Sequence, residues 1–126
     1  MGLDMYLNGS KYLTNKNDIT EDGFRLKERI LELGYWHKHP NLHGYIVENF
    51  AGGDDSCQDI QLSEAQIQQI IEAVKNKTLP VTSGAFFGES DGSEDAGTIK
   101  TLEKAIKWLR KESDFDWRSV YYRASW

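Results

Sequence analysis

Arg25-Leu26-Lys27-Glu28-Arg29-Ile30-Leu31-Glu32-Leu33-Gly34-Tyr35-Trp36 is the stretch on which the fold turns. Two regular structures compete for it. As a strand, Arg29, Leu31, Leu33 and Tyr35 alternate with Ile30, Glu32, Gly34 and Trp36. As a helix it runs only as far as Gly34, and Gly34-Tyr35-Trp36 ends a helix badly. The segment is therefore read as a strand.

Toward the N-terminus, residues 3–7 and 10–13 form two short strands. Leu3, Met5 and Leu7 share one face, and Asp4 and Tyr6 share the other. Asn8-Gly9-Ser10 reads as the turn between them. Residues 14–23 are polar and read as a surface loop.

Toward the C-terminus, Pro40 suits the first turn of a helix, where its missing N–H costs nothing. Leu42, Tyr45, Ile46, Asn49 and Phe50 then fall on one helical face, and Ala51-Gly52-Gly53-Asp54-Asp55 stops the helix. Residues 57–62 give a short strand. Ser63 and Gln66 fit a capping box, and Ile67, Ile70, Ile71 and Val74 form the apolar stripe of the helix it opens. Gly84-Ala85-Phe86-Phe87-Gly88 is an apolar run between glycines. Residues 89–97 read as an exposed acidic loop entering a helix over roughly 96–111, whose core face is Ile99, Leu102, Ile106 and Leu109. Residues 118–126 close the chain as a strand, with Val120, Tyr122 and Ala124 alternating against Tyr121, Arg123 and Ser125. The expected fold is one α+β domain over residues 1–126: a small, mainly antiparallel sheet with about three helices packed on one face.

The 126 residues suit a single domain. With 39% hydrophobic residues the chain builds a core without disulfide or metal. Cys57 is the only cysteine, which rules out an intrachain disulfide or a cysteine zinc cluster and fits a reducing cytosol. There is no signal-peptide pattern and no apolar run long enough to span a bilayer, and Tyr6 stands where N-myristoylation wants Ser or Thr. The expectation is a cytoplasmic protein without membrane contact. A formal net charge of −5 weighs against an extended nucleic-acid surface, which needs clustered cations.

His37, His39 and His43 lie within seven residues, and three imidazoles can hold zinc with an open position. Two precede the helix and one lies inside it, so convergence does not follow, and ordinary partly exposed histidines are expected. His43 with Glu48 is an acid–base pair only if both point into one cleft; five residues apart, they share a face imperfectly. Cys57 has Asp54, Asp55 and Asp59 nearby, which disfavour a thiolate, and is read as a small buried residue. The acidic loops lack the spaced ligand pattern of a calcium loop, and the glycines at 84–88 lack the ending of a phosphate-binding loop. No cofactor is implied. Lys100, Lys104, Lys107 and Lys111 form a solvent-facing basic ridge. Trp108 at its flank is off the core stripe, either an interface anchor or a cover for the edge of the sheet. Aromatic residues reach 12%, and Tyr35, Trp36, Phe86, Phe87, Tyr121, Tyr122 and Trp126 cluster at expected strand ends. The supply exceeds what a core this size requires, so a surplus is expected to line a recognition face.

The motifs Met1-Gly2-Leu3-Asp4-Met5-Tyr6-Leu7, Gly34-Tyr35-Trp36 with Lys38 and His43, Leu79-Pro80 before Ser83-Gly84 and Phe86-Phe87-Gly88, and the ending Tyr121-Tyr122-Arg123 with Ser125-Trp126 resemble a family of small phage and prophage proteins. The resemblance spans nearly the whole chain. It implies a viral accessory protein acting in a bacterial host cytosol, and supplies no reaction. His43 matches the family pattern, whereas His37 and His39 depart from it. Trp36, Lys38, His43, Phe87 and the terminal stretch are therefore the implied shared surface.

The expected function is protein–protein interaction with a host protein, including inhibition of a defence protein. Trp36, Lys38, His43, Phe87, Trp108, Tyr122, Arg123 and Trp126 are the candidate binding residues. The alternative is a small-molecule binder or enzyme, with a nucleotide stacked on Trp36 or Tyr122, phosphate held by Lys38 and Arg123, and His43 as acid or base. Self-association is also open to such a domain.

Overall fold

A computed structural model describes residues 2–14, 19–84, 87–111 and 116–126. From Glu28 onward the segment is a strand, as expected: β4 covers Glu28–His37 and pairs antiparallel with β1, Asp4–Leu13, whereas Arg25 belongs to a separate small hairpin. The N-terminal strand is one element of ten residues, not two short ones around a turn. Gly9 sits inside it because Trp108 packs directly onto the backbone there. A Cβ at Gly9 would stand 2.8 Å from Cη2 of that indole and 3.0 Å from Cδ1 of Leu33. The glycine marks close approach, not a turn.

A β-bulge corrects the face assignment of β4. Leu7 pairs with Gly34 and Asn8 with Glu32, so Leu33 is the extra residue. The alternation changes phase there. Trp36 turns to the core, 8% exposed, while Tyr35 joins Ile30 and Glu32 on the opposite face.

The polar segment after β1 holds more than a loop. β2 (Thr20–Glu21) and β3 (Phe24–Arg25) form a small hairpin closed by Asp22-Gly23, both at positive φ (52° and 83°), the pair such two-residue turns demand. Residues 15–18 of that segment, Ala85 and Phe86 of the apolar run, and residues 112–115 lie outside the described residues.

Helix α1 spans Pro40–Phe50, with Pro40 in its first turn as expected. His43 and Val47 join Leu42 and Ile46 as its buried residues, while Tyr45 and Phe50 are only partly buried. Strand β5 is Ile60–Leu62, and α2 is Glu64–Lys75. Both halves of the Ser63–Gln66 capping box are present, at 3.2 and 2.8 Å. Ile67, Ile70, Ile71 and Val74 are all buried. Helix α3 is Asp95–Leu109 and strand β6 is Asp116–Ser125. Thr98, Leu102, Ala105 and Ile106 are buried on α3, with Ile99 and Leu109 packed at the margin.

The main sheet has the order β4-β1-β6-β5, and every adjacent pair is antiparallel. This is the expected α+β architecture. Leu3, Met5, Leu7, Val120, Tyr122, Ala124, Ile60 and Leu62 form the buried face beneath the helices. Trp36 Nε1 donates to Thr98 Oγ1 at 2.9 Å, which ties β4 to α3. At the far end of α3, Arg118 stacks 4.8 Å above the Trp108 ring and donates to the Trp108 carbonyl. That cation shares the Trp108 carbonyl at the helix C-terminus with the Lys111 backbone N–H. Among the described residues, no helix is long and apolar enough to cross a membrane.

Candidate functional site

His43 lies on the inward face of α1 and is 2% exposed. Both of its ring nitrogens are engaged. Nδ1 lies 2.6 Å from the Tyr122 hydroxyl, and Nε2 lies 3.0 Å from Asp55 Oδ1. Tyr122 is fully buried, and burial followed by the charge of Asp55 pushes its hydroxyl well above the ordinary tyrosine range. It therefore keeps its proton and donates it to Nδ1. That bond places the imidazole proton on Nε2, from which it is donated to the carboxylate. The result is a directed chain from a buried phenol through an imidazole to Asp55, whose side chain is about one third exposed.

Three rings close around this histidine. Phe87 meets it edge-on at 5.4 Å, Trp126 at 5.6 Å, and Phe87 and Trp126 meet each other at 5.7 Å. The third is Tyr122, at 5.8 Å. Four sequence-derived candidates, His43, Phe87, Tyr122 and Trp126, thus form one cluster. Lys38 stands beside it: it is exposed, with φ at +55°, and its stem lies against Gly88, where an added Cβ would come within 3.0 Å of Lys38 Cβ. An open cleft of about 460 Å³ adjoins the cluster, bordered by His43, Asp55, Phe87 and the segment Pro80–Ser83. Glu48 borders it too, so His43 and Glu48 do reach one cleft despite their imperfect spacing.

The remaining candidates lie elsewhere. Trp36 is in the core, bonded to Thr98. Trp108 is half-buried over Gly9, so it covers the sheet. Arg123 projects from the face of β6 opposite to Tyr122 and pairs with Asp59 at 3.3 Å. It does not join Lys38 and His43. The lysines at 100, 104 and 107 are exposed along α3, as expected, whereas Lys111 lies beyond the C-terminal end of the helix, which stops at Leu109. Cys57 is half-buried, not buried, in a loop with φ at +57°. The histidines do not converge. His37 is exposed and bonds Asp4 at 2.9 Å, while His39 and His43 are buried, which corrects the expectation that all three are partly exposed.

The aromatic surplus collects on the other side of the sheet. The register places Tyr35, Tyr6 and Arg123 in one row across β4, β1 and β6. Glu32, Asn8 and Tyr121 form the next row, Ile30, Ser10 and Ser119 the third, and Glu28, Tyr12 and Trp117 the last. Tyr35 is 48% exposed, Tyr12 49% and Trp117 73%. Tyr6 and Tyr35 rings lie 5.3 Å apart, and the Tyr35 hydroxyl donates to Asp4 at 2.5 Å. That bond holds Asp4 below the usual carboxylate range and raises Tyr35 to about 12. The sequence does not place Tyr12 and Trp117 with the other rings, because a turn expected at Asn8-Gly9-Ser10 separates Tyr12 from Tyr6 and the expected last strand starts after Trp117, whereas β1 runs unbroken and β6 begins at Asp116. Asp55 escapes as a partner because a loop residue twelve positions away carries no periodic signal.

Comparison with family models, with curated proteins and with solved structures gives no match to this chain.

Proposed function

We propose that this protein is a phage or prophage accessory protein that binds a protein of its bacterial host through the open face of its sheet. The observation that carries this reading is the set of exposed rings Tyr12, Tyr35 and Trp117, with Tyr6 and Tyr121 between them, on a face that the helices leave uncovered. Tyrosine and tryptophan offer large, stiff contact areas at small entropic cost, and they anchor protein interfaces. Charge favours a protein over a nucleic acid as the occupant. Arg123 and His37 at this face are each paired with a carboxylate. Among the described residues, these four rows hold no cluster of cations to attract phosphates.

The test uses the full chain, tagged, in bacterial lysate. Wild type should retain a partner that mass spectrometry identifies and that rebinds as a purified protein. The Trp117→Ala, Tyr35→Ala double variant, still folded by circular dichroism, should lose it. A protein that stays a free monomer across salt concentrations, or a partner held equally by the variant, counts against the reading. A self-associating chain would assign the face to a second copy instead.

A second reading, a small-molecule ligand, is favoured by the cleft beside His43 and Asp55. A nucleotide stacked on Trp36 or Tyr122 does not fit it, because both rings are buried. A thermal-shift screen decides this: a ligand at 100 times its dissociation constant adds roughly 2.7 kcal/mol of stability.

A further inference from the structure

A separate recess of about 300 Å³ lies where the start of α1, the end of α2 and the segment before α3 meet. His39, Asn41 and Ser90 line it together. Ser90 Oγ is 2.6 Å from His39 Nδ1 and accepts a 3.2 Å bond from the Asn41 backbone N–H. When the single hydroxyl proton of Ser90 points to Nδ1, the imidazole carries its own proton on Nε2.

His39 is 1% exposed, and Nε2 has no partner. Among the described residues, the other buried side-chain atom without one is Oε2 of Glu94. Buried orphans of this kind are rare and call for an explanation. Here they belong to an imidazole and to the carboxylate that most favours its charged form. Burial outweighs that attraction and keeps His39 neutral at rest, below the ordinary histidine range. A base that is neutral at rest, and whose charged form the Glu94 carboxylate favours through its charge, is suited to accept a serine proton. Asn41 completes the set. Its Oδ1 accepts from Thr82 N–H at 3.0 Å, so the amide is fixed and its Nδ2 remains available as a donor.

We propose that Ser90 is a nucleophile for acyl transfer, with His39 as its base and Asn41 as the donor to the developing oxyanion. The substrate class is a small ester with an uncharged or cationic acyl group. The recess has the size for a ligand of few atoms, walled by Val74 and Leu79. Asp91 and Asp95 against Lys77 leave its rim net negative, which disfavours an anionic acyl group. In the first step Ser90 Oγ bonds to the acyl carbon, and its proton passes to His39 Nδ1. The C–O bond to the leaving alkoxide breaks, and His39 returns the proton to give an alcohol. Water then attacks the acyl-serine, loses its proton to His39, and His39 passes it to Ser90 as the carboxylic acid leaves. The constellation belongs to this chain's own residues; it is not part of the surface implied by the phage resemblance.

A purely structural role for Ser90 is the competing account, because it supplies the N-terminal cap that His39 does not give α1. Reactivity separates the two. The full chain is treated with an alkyl fluorophosphonate, which forms a P–O bond to a nucleophilic serine as fluoride leaves. Peptide mapping should find one adduct, on Ser90, and Ser90→Ala should show none. His39→Gln should slow labelling by about 100-fold or more. Ser90→Cys keeps the test decidable if Ser90→Ala fails to fold: the introduced thiol should react with iodoacetamide well ahead of Cys57. Four results would each overturn the proposal: no adduct on the folded wild type, equal labelling of Ser83 and Ser93, His39→Gln labelling at the wild-type rate, or a Ser90→Cys thiol no faster than that of Cys57.

Discussion

Tyr122→Phe removes one hydroxyl from the centre of the protein and leaves its ring in place. Tyr122 is fully buried and His43 nearly so, and no solvent reaches the bond between them. The variant therefore leaves Nδ1 of His43 as a buried acceptor without a donor, while Nε2 keeps Asp55. Removing one partner of a buried pair costs about 1–3 kcal/mol, more than the net value of an ordinary hydrogen bond. The apolar area buried is unchanged, so no cavity contribution adds to it. Urea unfolding followed by circular dichroism is the assay. With a slope of about 1.5 kcal/mol/M, the midpoint should fall by roughly 1 M at an unchanged slope. Replacing His43 as well, in Tyr122→Phe, His43→Leu, should recover part of the loss, because the orphaned nitrogen goes too. A Tyr122→Phe variant as stable as wild type would refute the directed chain from phenol to imidazole to carboxylate.

Gly9→Ala should destabilise by about 1–3 kcal/mol, because its methyl meets the Trp108 ring and Leu33, and thermal unfolding with indole fluorescence would report it. His39 should make stability fall as pH drops below about 6.5: the unfolded chain takes up a proton there that the buried imidazole does not, until the lower folded value is passed. His39→Gln should flatten that slope in urea midpoints measured from about pH 7 to 5. Tyr35 should ionise at about 12, followed by ultraviolet titration, and Asp4→Asn should bring it back toward the ordinary value of 10.0, since the bond to Asp4 is the main cause of the rise.

Local chemistry writes α2 into the sequence most plainly. Ser63 and Gln66 close both capping bonds within four residues, and the isoleucine stripe follows at helical spacing. Strand β6 is legible for the same reason, since Val120, Tyr122 and Ala124 keep strict alternation into the core. What escapes depends on partners far away in the chain. Gly9 reads as a turn until Trp108 is placed on it. The faces of Tyr35 and Trp36 cannot be assigned until the bulge at Leu33 is known, and a bulge is set by pairing with β1. The Asp22-Gly23 hairpin has its turn signal, but its flanks are too short to alternate. At the candidate site, composition, spacing and the phage resemblance single out the aromatic residues and His43. Their meeting needs a contact between Tyr122 and His43 across 79 positions. Arg123 goes astray because one residue along a strand means the opposite side of the sheet.

The extra residue at position 33 divides its strand into two stretches that answer to different demands. From Gly34 onward, spacing is dictated by Thr101, Thr98 and the helix above. Before it, Ile30, Leu31 and Glu32 are exposed at the rim and pair with β1. Substitutions in the outer stretch therefore alter the surface at little cost to the packing, while the inner anchor at Trp36 stays fixed.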